Sequence, residues 1–185
     1  MPAAELLRAG ERATSRSAFY RRAKVGAYER IARGVYLPSD ADPADWDWLE
    51  AAAKHPKATV CLASALAYYD LTDEIPRALD VAIPRGSRTP ATEGAIAWHH
   101  FAADSFGLGR TTMVIPGSNV HIGIYGPERS IADAFRLRGS LGYELGRDAL
   151  RNWLGRGGKP ADLLEVASQL PRTRGPLLRT LEALG

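Results

Sequence analysis

Apolar and polar residues change their period several times along this chain, and the changes divide it into short elements. "PAAELLRAG" has the apolar spacing of a short helix stopped by Gly10, and "TSRSAFYRRAKVG" repeats the pattern with Thr14 or Ser15 as N-cap and Gly26 as stop. In this second helix Phe19, Ala23 and the stem of Arg22 fall on one side. Ser17, Tyr20, Arg21 and Lys24 share the other. "AYERIA" and "VYLP" predict two strands, joined at "RG" by Gly34, which can take positive φ, so this segment reads as a β-hairpin.

Further along, "ADWDWLEAAAKH" and "VCLASALAYYDL" predict helices. "ALDVAIP", "AIAWHHF", "TTMVIPG" and "NVHIGIYG" predict short strands between Gly, Pro and Ser clusters. Pro127 sits at the first helical position of "PERSIADAFRLRG", which is expected to end at Gly139; "YELGRDALRNWLGRG", "PADLLEVASQL" and "GPLLRTLEALG" follow as helices. The Pro- and Asp-rich "PSDADPAD" is a natural boundary near residue 40, giving a head over 1–40 and a second domain over 41–185. Helix, turn, helix and hairpin in the head predict a winged helix-turn-helix. In the second domain helices come first, then strands, then helices, which predicts an α+β fold with a small sheet and C-terminal helices rather than a doubly wound parallel sheet.

Charge sharpens this division. Residues 1–39 hold eight Arg or Lys against three Glu, a balance of +5; residues 40–84 carry nine acids and three bases, a balance of −6; residues 85–185 carry thirteen bases and nine acids, a balance of +4. The whole chain, at +3 over 185 residues, conceals that asymmetry. The hydrophobic content of 45% supports a real core and argues against disorder throughout. The single cysteine, Cys61, lies in an apolar run and is expected to be buried. With no leader pattern and no apolar stretch near ~18 residues, the expectation is a cytoplasmic protein without a membrane span.

Motifs for catalysis and cofactors are incomplete. "WLGRGGKP" lacks the first glycine of a phosphate-binding loop, has Pro160 after Lys159, and follows a helix, so it is expected to be a helix stop. His99 and His100 are neighbours on a strand and point to opposite faces; His55 and His121 are isolated in sequence, so no metal site is expected. Asp80 could open a nuclease pattern, but no Glu-x-Lys follows it, and neither a cofactor nor enzymatic activity is expected. Arg129 and Asp133, at i and i+4, fit a helical ion pair or a partner contact. Arg85 and Arg88, on a glycine-containing loop, could meet a phosphate or an acidic partner.

Four ordered segments, "SRSAFYRRAKVGAYERIARGVYLP", "ATVCLASALAYYDL", "ALDVAIPRGSR" and "YGPERSIADAFRLR", together resemble the AbiEi antitoxin family of type IV toxin-antitoxin systems, known from abortive infection. The resemblance implies an N-terminal winged helix that binds double-stranded operator DNA and represses its own operon. It also implies a C-terminal domain that neutralises an AbiEii-type nucleotidyltransferase toxin without a stable complex. Carried over by position, Arg16, Ser17, Tyr20, Arg21 and Lys24 would face the major groove, and Arg30 and Arg33 would contact phosphates or the minor groove. The family places a further helix ahead of "ELLRAG", which this sequence does not contain. The alternative is a stand-alone winged-helix transcriptional regulator whose second domain senses a ligand or dimerises.

Overall fold

In a computed structural model that describes residues 5–9, 15–40 and 45–184, the head is built from strand β1 (Leu7–Arg8), helix α1 (Arg16–Lys24) and strands β2 (Tyr28–Ala32) and β3 (Val35–Pro38). The strands form an antiparallel sheet in the order β1-β3-β2. The helix expected over "PAAELLRAG" is therefore not formed at residues 5–9, where Leu7 pairs with Tyr36 and Arg8 with Val35. A helix this short is marginal in water, whereas the free edge of β3 offers these backbone groups partners. Gly10 and Thr14, expected as stop and cap, lie outside the described residues, as do residues 41–44 of the Pro- and Asp-rich segment.

The hairpin is where the head meets the rest of the chain. Gly34 takes φ +76° at its turn, as the "RG" pair predicts. The register runs Arg30 opposite Tyr36 and then Ala32 opposite Val35, so Ile31 is the extra residue of a β-bulge. Tyr28 and Tyr36 turn toward Phe19 of α1, while Ile31 and Leu37 are buried in a cluster with Leu49, Val60, Val81 and Ile124 from beyond residue 45. The hairpin is a middle layer with apolar contacts on both faces.

Helix α2 (Trp46–Lys54) starts at Asp45, whose carboxylate accepts from the Asp47 N–H at 3.1 Å. It is followed by β4 (Thr59–Val60), α3 (Leu62–Tyr68), β5 (Leu79–Pro84), β6 (Ile96–Phe101), β7 (Arg110–Val114) and β8 (His121–Tyr125). These strands form a mixed sheet in the order β6-β5-β4-β8-β7, with β4 parallel to β8 and antiparallel to β5. The helix predicted over "VCLASALAYYDL" begins only at Leu62, and its first residue, Val60, lies with Thr59 in the central strand instead. Both are fully buried, and a two-residue strand has no alternation for a sequence pattern to display.

The chain closes with α4 (Pro127–Arg136), α5 (Arg138–Leu141), α6 (Tyr143–Gly155), α7 (Pro160–Ser168) and α8 (Arg174–Leu184). The expected stop at Gly139 falls inside the short α5; the positive φ of 84° comes at Gly142 instead. Leu66 of α3 packs with Ile131 and Phe135 of α4, Leu150 of α6, Leu163 of α7 and Leu177 of α8 in one helical cluster. Among the described residues the protein is thus a mixed α+β fold with eight helices and two sheets, and no helix is long and apolar enough to cross a membrane.

Cys61 sits at the junction of β4 and α3, fully buried. Burial pushes its thiol well above the ordinary value, and the nearby Asp80 and Asp133 charges add to that. Maleimide should therefore leave the folded chain unlabelled and modify it fully in denaturant, a difference read by intact mass.

Candidate nucleic-acid interface

Helix α1 is held by one cap and one anchor. Ser15 Oγ accepts from the Ala18 N–H at 3.3 Å, and Arg21, Arg22 and Lys24 lie in the last turn, where positive charge suits the helix dipole. Phe19 is the helix's one buried residue; its ring stacks on Tyr28 at 4.8 Å and meets Tyr36 edge-on at 5.2 Å. This anchor fixes the rotation of α1. It leaves Arg16, Ser17, Tyr20, Arg21 and Lys24 all exposed, and so brings the five expected reading residues together on the outside of one helix. No acidic residue occurs in α1 to neutralise them.

Arg22 does not simply lie beside Phe19: it is exposed and donates from Nη1 to the Tyr28 hydroxyl at 3.3 Å, tying α1 to β2. On the hairpin, Arg30 is exposed and its Nε donates to the Ala32 carbonyl at 3.4 Å, across the bulge. Arg33 is exposed at the turn beside Gly34. Arg85 and Arg88 are exposed on the loop after β5, where Gly86 takes φ +93°.

Arg129 requires a correction. It is 1% exposed, so it is not available as a partner contact; the helical ion pair is what forms. Its Nε donates to Asp133 at 2.8 Å, its Nη1 donates to the carbonyls of Ser105 and Leu108 at 2.7 Å each, and its guanidinium lies 4.4 Å from the centre of the Tyr125 ring. Arg136 holds the other oxygen of Asp133 at 2.8 Å. Burial pushes the Asp133 carboxyl up, and the two guanidiniums pull against it. Burial likewise raises the phenol of Tyr125, whose hydroxyl donates to the Phe106 carbonyl at 2.8 Å.

The histidines divide as their strand positions require. His99 Nε2 meets Asp80 at 2.8 Å, and His100 Nε2 meets the Thr89 hydroxyl at 2.9 Å on the other side. Asp80 also receives a longer bond from Ser64 Oγ at 3.4 Å, so its carboxylate is engaged within the fold. Among the described residues no group of three or more His, Cys, Asp or Glu could hold a metal ion. His55 and His121, isolated in sequence, converge on one pocket together with Arg110, a residue that the sequence pattern did not single out. Neither a protein-family profile nor any curated protein matches the chain.

Proposed function

We propose that this protein is a DNA-binding antitoxin of the AbiEi type, in which the head binds operator DNA and the remainder counters a nucleotidyltransferase toxin. The observation that carries the DNA half is the acid-free face of α1, with Arg16, Ser17, Tyr20, Arg21 and Lys24 exposed beside a hairpin bearing Arg30 and Arg33. The strand order β1-β3-β2, with α1 between β1 and β2, supports a winged helix, because that topology sets one helix against a hairpin whose tip is free to lie along a DNA backbone. The antitoxin half is supported by the four ordered segments quoted above. In this reading Arg21 and Lys24 end the reading helix and Arg33 is the wing contact.

Phosphate contacts supply affinity on every sequence, and base contacts supply choice. A gel shift on the promoter of the chain's own operon, titrated with salt, should show tighter binding than on random DNA. Arg33→Ala should weaken both and flatten the log–log salt slope by about 0.9, as expected for one lost phosphate contact. Loss of a base contact within α1 should instead cost about 1–3 kcal/mol on the operator alone. Equal affinity for promoter and random DNA would remove the operator reading. Failure to rescue growth on co-expression with an AbiEii-type nucleotidyltransferase encoded in the same operon would remove the antitoxin reading.

A further inference from the structure

The pocket around Arg110 has no part in the DNA-binding reading. It lies where the parallel strands β4 and β8 begin, has a volume of about 250 Å³, and is lined by His55, Arg110, Thr112 and His121 over a floor that includes Ala58 and Gly123. The antiparallel register sets Thr112 opposite Gly123 and Val114 opposite His121, on the sheet face that also carries Arg110. Arg110 reaches across Gly123 to the central strand, where its Nε donates to Thr59 Oγ1 at 2.8 Å. A Cβ on residue 123 would run into the guanidinium and into Thr59 Oγ1, so glycine at that position makes the crossing possible.

The hydrogen bonds around the pocket leave donors facing it. Thr59 commits its own proton to the Lys57 carbonyl at 2.9 Å and can only accept from Arg110. The Lys57 N–H donates to His55 Nδ1 at 3.1 Å, which leaves Nε2 to carry the proton of the neutral ring. Among the described residues, neither Nη of Arg110 has a hydrogen-bond partner and no carboxylate lines the pocket. The Arg110 guanidinium is the one fixed charge among the lining residues and attracts an anion, while the two imidazoles and the Thr112 hydroxyl can add neutral hydrogen-bond donors. The volume is below the ~300–1,000 Å³ of clefts that enclose whole organic ligands, so the anion must be small or enter as one end of a larger molecule.

We propose that this pocket binds a phosphate group, either as inorganic phosphate or as a phosphate monoester, with Arg110 as the charged clamp and His55, Thr112 and His121 as hydrogen-bond donors. Gly123 and Thr59 are positioning residues that hold the clamp in place. This site shares no residue with α1 or the hairpin, so it stands or falls separately from operator binding.

The test is a titration of the full-length protein with inorganic phosphate and, in parallel, with adenosine monophosphate at constant ionic strength, following the ring resonances of His55 and His121 by NMR. Saturable shifts of both rings are expected. Similar affinity for the two probes identifies the free anion as sufficient, and tighter binding of the monophosphate identifies an ester. Arg110→Gln should weaken binding by about ten-fold or more. Because Arg110 also braces β7 against β4, His121→Asp at an exposed position provides a second variant, expected to keep the wild-type melting temperature and abolish saturation. Absence of a saturable shift with either probe, or wild-type affinity in a folded His121→Asp protein, would overturn the proposal.

Discussion

Asp133→Ala should lower the free energy of unfolding by about 3–5 kcal/mol, read from the urea midpoint at constant slope. The substitution removes the carboxylate shared by Arg129 and Arg136 and leaves the Arg129 side chain, 0% exposed, without a counter-charge. Bulk water does not reach the guanidinium to compensate, because it is enclosed between the rings of Tyr125 and Phe101 and the carbonyls of Ser105 and Leu108. Those two carbonyls belong to the loop before β7, so hydrogen exchange should increase in that loop as well as in α4. An exposed i, i+4 pair would lose only ~0.3–0.5 kcal/mol on the same change, so the size of the effect reports burial.

Phe19→Ala should uncouple α1 from the hairpin. Truncating a buried phenylalanine costs about 3–5 kcal/mol, and the ring removed is the helix's one buried contact with Tyr28 and Tyr36. A nine-residue helix does not persist in water without such packing. Amide protection over residues 16–24 is therefore expected to disappear, while α4 and α6, built on the separate cluster around Ile131 and Leu150, keep theirs. In the proposed function, binding to operator and to random DNA should fall together, since the helix carrying Arg21 and Lys24 is no longer held.

Most of the elements were legible where a local signal was strong. Pro127 marked the start of α4, the Arg33-Gly34 pair marked the hairpin turn, and the spacing from Ser17 to Lys24 identified the exposed face of α1. What escaped depends on partners distant in the chain. β1 and β4 are two residues long each and become strands only because β3, β5 and β8 offer them ladders. The burial of Arg129 could not be separated from a surface ion pair, because both show the same spacing to Asp133. The meeting of Arg110 with His55 and His121 depends on the register of β7 against β8 and on the absence of a side chain at Gly123.

The two-sided hairpin bears on how the molecule can be taken apart. Ile31 and Leu37 fill places in a core whose other members come from α2, α3, the five-stranded sheet and its loops, while Tyr28 and Tyr36 carry α1 on the opposite face. Cutting the chain after residue 40 would open two gaps in that core and expose the apolar surface beneath. Stability would then be a property held jointly by the two parts: a ligand that tightens the head would slow the opening of the sheet, and damage to the sheet would weaken the grip of the head.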